Sequence, residues 1–269
     1  MTLVHLVIVE MRRALHRRVV WWMSALALAG CVVLGIVALA TVGETDPLVA
    51  DHPGFMRSWP LSSDGDSLLG VGAGFLAIGA AVCGASVGGA EWKAGTVTTL
   101  LTWVPARGRL HAARTIAAAI CAFVIGFVLQ VAMLVAALPA VVTGGSTDGT
   151  DRDWWAAVLL GLVRISLVAS MLAVLALNVA TVGRNTTPAL VALAAWALIG
   201  EGIIRGLRPG LARFLIGENV ATVVPWRAME NQEFHRPPTL ALVTLVVYLA
   251  IVVGVATVSF TRRDVAGAS

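Results

Sequence analysis

The sequence predicts an all-α integral membrane protein with six transmembrane helices, and three observations carry this reading. Of 269 residues, 58% are hydrophobic and 13% charged, with a mean hydropathy of +0.88. A soluble domain of this size cannot hide so much apolar surface from water. Six apolar runs are long enough to cross a hydrocarbon core, which takes about 20 residues for roughly 30 Å. Basic and acidic residues also sort to alternate connections between those runs, as expected of a multi-pass chain with both termini on one side.

Residues 1–18 predict an amphipathic interfacial helix. Val4, Val7, Ile8, Met11 and Leu15 recur at helical spacing on one face, and Glu10, Arg13 and Arg17 lie elsewhere around it. Such a helix rests in the inner interface with its Arg side chains reaching lipid phosphates. Trp21 and Trp22 then enter at headgroup level, where amphipathic rings are favoured. The first span, 19–42, is longer than the roughly 7 to 15 residues of a signal core, so it is expected to be retained. The second, 68–89, is rich in glycine, with small-residue spacings at Gly70/Gly74 and Gly84/Gly88 that let helices approach closely. Packing within the chain, a dimer seam and a wall of a substrate pathway all fit that spacing.

Spans three and four cover 115–142 and 156–182. The fifth, 189–204, is the shortest, and the sixth covers 239–260. Between the last two, residues 205–238 form an external re-entrant or loop region. Its apolar stretches at 211–216 and 220–226 are too short to cross and are bounded by Gly210, Gly217 and Pro225. Arg12, Arg13, Arg17, Arg18, Lys93, Arg107, Arg109, Arg114, Arg184, Arg262 and Arg263 fall on the terminal side; the opposite side carries most of the acids, although 205–238 also places Arg205, Arg208, Arg213, Arg227 and Arg236 there. The positive-inside bias makes the termini cytoplasmic and the protein a multi-pass resident of the cell membrane.

The residues exclude several chemistries. Cys31, Cys83 and Cys121 lie inside apolar runs without C-x-x-C spacing and read as packing residues. No G-x-x-x-x-G-K-[ST] phosphate loop occurs, and the five His residues are scattered over both sides without H-E-x-x-H spacing. No catalytic, cofactor-binding or metal-binding residue is therefore expected, nor is a nucleic-acid partner.

The segment 91–109 stands apart. It is a polar, basic connection that follows the glycine-rich second span. Glu91 and Lys93 mark the membrane exit, Gly95 permits a sharp turn, Thr96 caps a short helix over 97–104, and Pro105 ends it. Val97, Leu100, Leu101 and Val104 form its apolar face, with Arg107 and Arg109 at the margin. A helix resting on lipid and a docking helix for another protein both fit.

Here the chain resembles the permeases of type-2 ABC transporters. In these, an acidic residue, a Gly-Thr pair, a Leu pair, a proline and a basic residue follow in this order between the second and third spans. Glu91, Gly95, Thr96, Leu100, Leu101, Pro105 and Arg107 supply them, and Arg114 stands where Lys is commoner. The resemblance extends to the N-terminal helix, the six spans and the irregular region before the last. It implies that 91–109 is an ATPase-coupling loop and that the permease pairs with a second permease copy or a related permease. Two copies of a separate ATPase subunit would then bind ATP and Mg, the permease itself not being catalytic. It further implies export of an amphipathic substrate of the drug, antibiotic, peptide or lipid class. The central pathway would be lined by the second and fifth spans, with Phe75 and Trp196 as wall residues. A secondary transporter or channel, and a non-transporting scaffold or immunity protein, remain alternatives.

Arg164 and Glu201 are the charges placed well inside predicted spans. A charge near the bilayer centre costs at least about 2.5 to 3.5 kcal/mol on insertion scales, so such groups pair or face water. Their similar depths predict an intramembrane charge pair; substrate or proton contact and snorkelling of Glu201 are the other readings.

Overall fold

The computed structural model describes residues 2–44, 52–61, 67–93, 95, 106–231 and 234–262. Helix α1 (Leu3–Leu15) opens with Thr2, whose hydroxyl accepts from the His5 amide at 3.4 Å. His16 caps its end, and the extended backbone of Arg17 (φ −71°, ψ 129°) turns the chain into α2 (Arg18–Thr41). Then come α3 (Leu68–Lys93), α4 (Arg107–Thr143), α5 (Arg152–Gly183) and α6 (Thr186–Leu207). A 3-10 turn (Pro209–Phe214), α7 (Ile216–Val223), strands β1 (Met229–Asn231) and β2 (Phe234–Arg236), and α8 (Pro238–Arg262) complete the chain. Among the described residues six helices, α2 to α6 and α8, are long and apolar enough to cross a membrane. The molecule is a multi-pass helical membrane protein.

Local chemistry sets the helix ends. The Asp151 carboxylate accepts from the Trp154 amide at 2.7 Å and starts α5, and the Asn185 side chain does the same for Thr187 at 3.1 Å at the head of α6. Pro238 occupies the first position of α8, where its missing N–H leaves no helical bond unmade.

One helix boundary differs from the expected span. Helix α4 begins at Arg107 rather than at 115. Residues 107–114 are too polar to count in a hydropathy window, yet Arg, Ala and Leu are strong helix formers, so the span continues beyond the apolar core. In the region 205–238, read from the sequence as re-entrant or loop, the 3-10 turn and α7 are followed by strands. After α7 the chain forms an antiparallel hairpin pairing Met229 with Arg236, Glu230 with His235 and Asn231 with Phe234. A two-stranded ribbon is marginal alone, and this one is tied down by Arg236. Its Nε donates to Oδ1 of the buried Asn219 at 2.8 Å, and a second guanidinium nitrogen donates to Thr244.

Helix α5 is the centre of the bundle, with buried residues along its whole length from Trp154 to Thr181. Its closest partner is α3, and glycine makes the approach possible. A Cβ at Gly84 would overlap the Ala173 carbonyl, and one at Gly88 would overlap that of Leu177. These two glycines therefore serve packing within the chain. Gly74 is different, since a Cβ there meets nothing within 4 Å. At the end remote from the termini the core closes with Trp59 and Trp154, ring centroids 5.9 Å apart. Their indole N–H groups donate to the Pro53 and Met56 carbonyls, each at 2.8 Å.

Overpacking a tight seam costs about 1 to 3 kcal/mol. Gly84→Ala and Gly88→Ala are each expected to lower the melting temperature of the purified protein by several degrees, and Gly74→Ala to leave it unchanged or raised. Equal behaviour of all three in a thermal melt contradicts the α3–α5 seam.

Candidate functional site

Five charged side chains from three helices meet at the end of the bundle that carries both termini. Helix α1 buries Leu6, Glu10 and Ala14 along one stripe, and Val4, Ile8 and Leu15 stay exposed on the other side. Glu10, 5% exposed, accepts from Arg13 at 2.6 Å and from Nε of Arg114 at 3.3 Å. Glu91, 6% exposed, accepts from Arg13 and Arg17 on one oxygen, both at 3.0 Å, and from Arg114 on the other. Arg114 is 4% exposed and bridges the two carboxylates. Arg17 also donates to the Ser86 carbonyl at 3.0 Å. Burial lowers the Arg17 pKa and the neighbouring Glu91 charge raises it; an arginine remains protonated in either case.

The placement follows from helix geometry. Glu10 and Arg13 sit three residues apart, hence on one side of α1, and the extended backbone of Arg17 beyond the helix end carries its side chain to the same cluster. Glu91 lies in the last turn of α3 and Arg114 in the second turn of α4, so the chain leaves and re-enters the bundle beside the same cluster. Gly95 lies just past α3 with φ +68°, the left-handed conformation that its lack of a Cβ permits, and its amide donates to the Trp92 carbonyl at 3.2 Å. Arg107 opens α4, half-buried. Thr96, Leu100, Leu101 and Pro105 lie outside the described residues.

An aromatic layer seals the cluster from beside. Phe260 of α8 stacks on His111 of α4 at 5.6 Å and meets Trp92 edge-on at 6.0 Å. The Arg184 guanidinium lies 4.6 Å from the Trp92 ring centroid, and His111 bonds the buried Asn178 of α5 at 3.0 Å. The end of α3 and the first turns of α4 thus stand in a base that ties α1, α3, α4, α5 and α8 together. The base brings fixed charges together in mutual neutralisation.

This corrects the expectation for α1. Arg13 and Arg17 fold inward onto Glu91 instead of reaching lipid phosphates, because a buried carboxylate needs partners more than an interfacial guanidinium needs phosphate. The sequence signal was an acid, Glu10, on the same stripe as Leu6 and Ala14, with a second acid, Glu91, at the end of an apolar span.

Arg164 and Glu201 do not pair, which overturns that expectation. The Arg164 guanidinium lies 5.3 Å from the Trp226 ring centroid. Glu201, 4% exposed, accepts from the Gly217 amide at 3.0 and 3.1 Å, in the first turn of α7. The exposed amides and positive end of a helix stabilise a carboxylate there. A π turn over Trp196–Gly200 directly precedes Glu201. Its extra residue rotates the remainder of α6, a phase shift that depth counting misses. The Arg205–Glu218 ion pair, 2.5 Å, also joins α6 to α7. Phe75 is 74% exposed on the wall of an apolar cavity between α2, α3 and α4; Trp196 is 45% exposed and does not line it. The structure does not bring these two together. The chain matches no protein-family model and no curated protein.

Removing one member of a buried charge network costs about 3 to 5 kcal/mol, whereas a partly exposed member contributes about 1 kcal/mol or less. Arg114→Met is therefore expected to abolish or severely reduce folded yield, and Arg13→Ala, at a position 36% exposed, to reduce it little. Comparable yields of the two variants after detergent extraction would contradict the hub.

Since Arg164 and Glu201 have separate partners, the stability losses of Arg164→Met and Glu201→Gln are expected to add within about 0.5 kcal/mol in the double variant. Recovery of stability on combining them would restore the pair.

Proposed function

We propose that this chain is the transmembrane subunit of an ATP-driven exporter with the organisation of a type-2 ABC permease. It would lie in the cell membrane with both termini in the cytoplasm and act as a dimer. The observation that carries this reading is the segment from Glu91 to Arg107. It has the motif order of a coupling loop, it connects the second and third spans, and its first residue is locked into the Glu10, Arg13, Arg17 and Arg114 network. A coupling element needs a stiff root, because force from an ATPase is otherwise lost in local bending. Glu91 and Arg114 supply that root on both helices that flank the loop, and α1 is bound to it as well.

On this reading two copies of a separate ATP- and Mg-binding ATPase subunit dock against Leu100 and Leu101. Their closure moves α3 and α4 and switches access to a pathway between two permease copies. The cargo is an amphipathic molecule of the drug, antibiotic, peptide or lipid class. A carrier driven by ions through an Arg164–Glu201 relay finds no support, because those residues have other partners.

The test is co-purification. Tagged wild-type protein from its native host is expected to bring down an ATP-hydrolysing chain, and Leu100→Asp/Leu101→Asp is expected to lose that chain, or at least tenfold of its stimulated hydrolysis, while still inserting. Unchanged stimulated hydrolysis in the double variant overturns the docking role. Labelling of single cysteines by an impermeant thiol reagent checks the orientation. Position 151 is expected to react in intact cells and position 107 only after permeabilisation.

A further inference from the structure

A cavity of about 630 Å³ opens between α2, α3 and α4. Helix α2 rests mainly on α4, and α3 rests mainly on α5, so α2 and α3 diverge and leave a wedge between them. The volume is that of a small-molecule site, typically about 300 to 1,000 Å³. Its walls are apolar, with Met23, Phe75, Ile125 and Met133 prominent, and no Asp, Glu, Lys or Arg lines it. One strongly polar side chain does: Gln130, 2% exposed.

Gln130 is anomalous. Among the described residues its side-chain oxygen and nitrogen both lack a hydrogen-bond partner. It lies about 18 Å along α4 from Val142, close to the middle of a core roughly 30 Å thick, where lipid tails offer nothing to bond. Buried amides in native proteins are almost always satisfied, and an orphan calls for an explanation. The amide rests in a notch of α3 that only a glycine leaves open, since a Cβ at Gly72 would come within 2.6 Å of its oxygen. Both amide atoms are closed off where they stand; the terminal torsion of glutamine is broad, so engaging a ligand takes a rotation of the amide toward the cavity.

We infer that this wedge is an intramembrane binding site for a neutral long-chain amphiphile whose single polar group, a hydroxyl or an amide, both donates to and accepts from Gln130. The apolar walls take the chain, and the glutamine amide offers one donor and one acceptor to a head of the same kind. Charged heads are excluded, since nothing in the cavity compensates a charge. The site lies within one copy of the chain and needs no ATPase, so it stands or falls independently of the exporter reading.

The full chain in phosphatidylcholine nanodiscs is irradiated with a diazirine-bearing hexadecanol, and the labelled peptides are identified by mass spectrometry. Labelling is expected on residues 72–83 and 122–133, competed by hexadecanol and not by hexadecane. Gln130→Leu removes the polar group at nearly constant volume and is expected to reduce labelling about tenfold, the effect of one or two lost hydrogen bonds. It should leave the melting temperature of the ligand-free protein equal or higher. Gly79→Leu keeps Gln130 but fills the wedge, because a Cβ at Gly79, which lines the cavity, meets nothing within 4 Å; labelling should fall there too.

Organic extracts of the purified protein separate the sources. A neutral lipid present in wild type and missing from Gln130→Leu identifies a resident membrane component, whereas blank extracts with intact probe labelling identify a transient ligand. Labelling unaffected by both variants, a marked drop in melting temperature for Gln130→Leu, or cross-links from this wedge to a second copy of the chain would each overturn the site.

Discussion

Neutralising buried charge is the constraint on which the terminal end of the bundle depends. Two carboxylates and three guanidinium groups meet there; Glu10 and Arg13 pair within α1, while Glu91 of α3 and Arg114 of α4 find their partners on other elements. Arg114 of α4 stands beside both Glu10 and Glu91, and Arg13 of α1 and Arg17 just after it complete the set around Glu91. The positions of α1, α3 and α4 are thereby fixed relative to one another by interactions that weaken steeply with distance. The aromatic layer of Trp92, His111 and Phe260 extends the same fixed frame to α5 and α8.

The remainder of the bundle is held by different forces. Through the apolar middle, α3 and α5 approach closely enough for backbone to meet backbone at Gly84 and Gly88, so dispersion and shape replace charge. The remote end is closed by tryptophans that bury their rings and donate their N–H groups to nearby carbonyls, and by the Asn219–Arg236 contact that anchors the hairpin. Stiff ends and a glycine-fitted seam on one side contrast with the wedge between α2 and α3 on the other. Where helices diverge, a protein in a bilayer must fill the gap with lipid, ligand or another helix, and the unsatisfied amide of Gln130 biases that choice toward a molecule with a polar group.

For the exporter reading, the stiff terminal end and the looser wedge divide the labour in a mechanically sensible way. On that reading, a coupling loop that starts from the Glu91 network would pass displacement to α1 and α4 together. Glu201 and the first turn of α7 form a second polar tie, between α6 and the segment before α8, independent of the first. Arg164 reaches the same remote region through Trp226.

The sequence by itself determined the number and order of the spans, because hydropathy is a sum over neighbouring residues and needs no tertiary information. It also located the connection that begins at Glu91 and the turn at Gly95, whose requirement is local backbone geometry. What only the tertiary structure decided was pairing. Arg13 and Arg17 were as compatible with lipid phosphate as with a carboxylate until α3 placed Glu91 beside them. Arg164 and Glu201 matched in depth, but depth along a helix carries no information on azimuth, and the π turn at 196–200 together with the α7 terminus settled where Glu201 points. Gln130 was invisible for the same reason: an amide in an apolar run looks like any tolerated polar residue until its neighbours are known, and only packing shows that it has no partner.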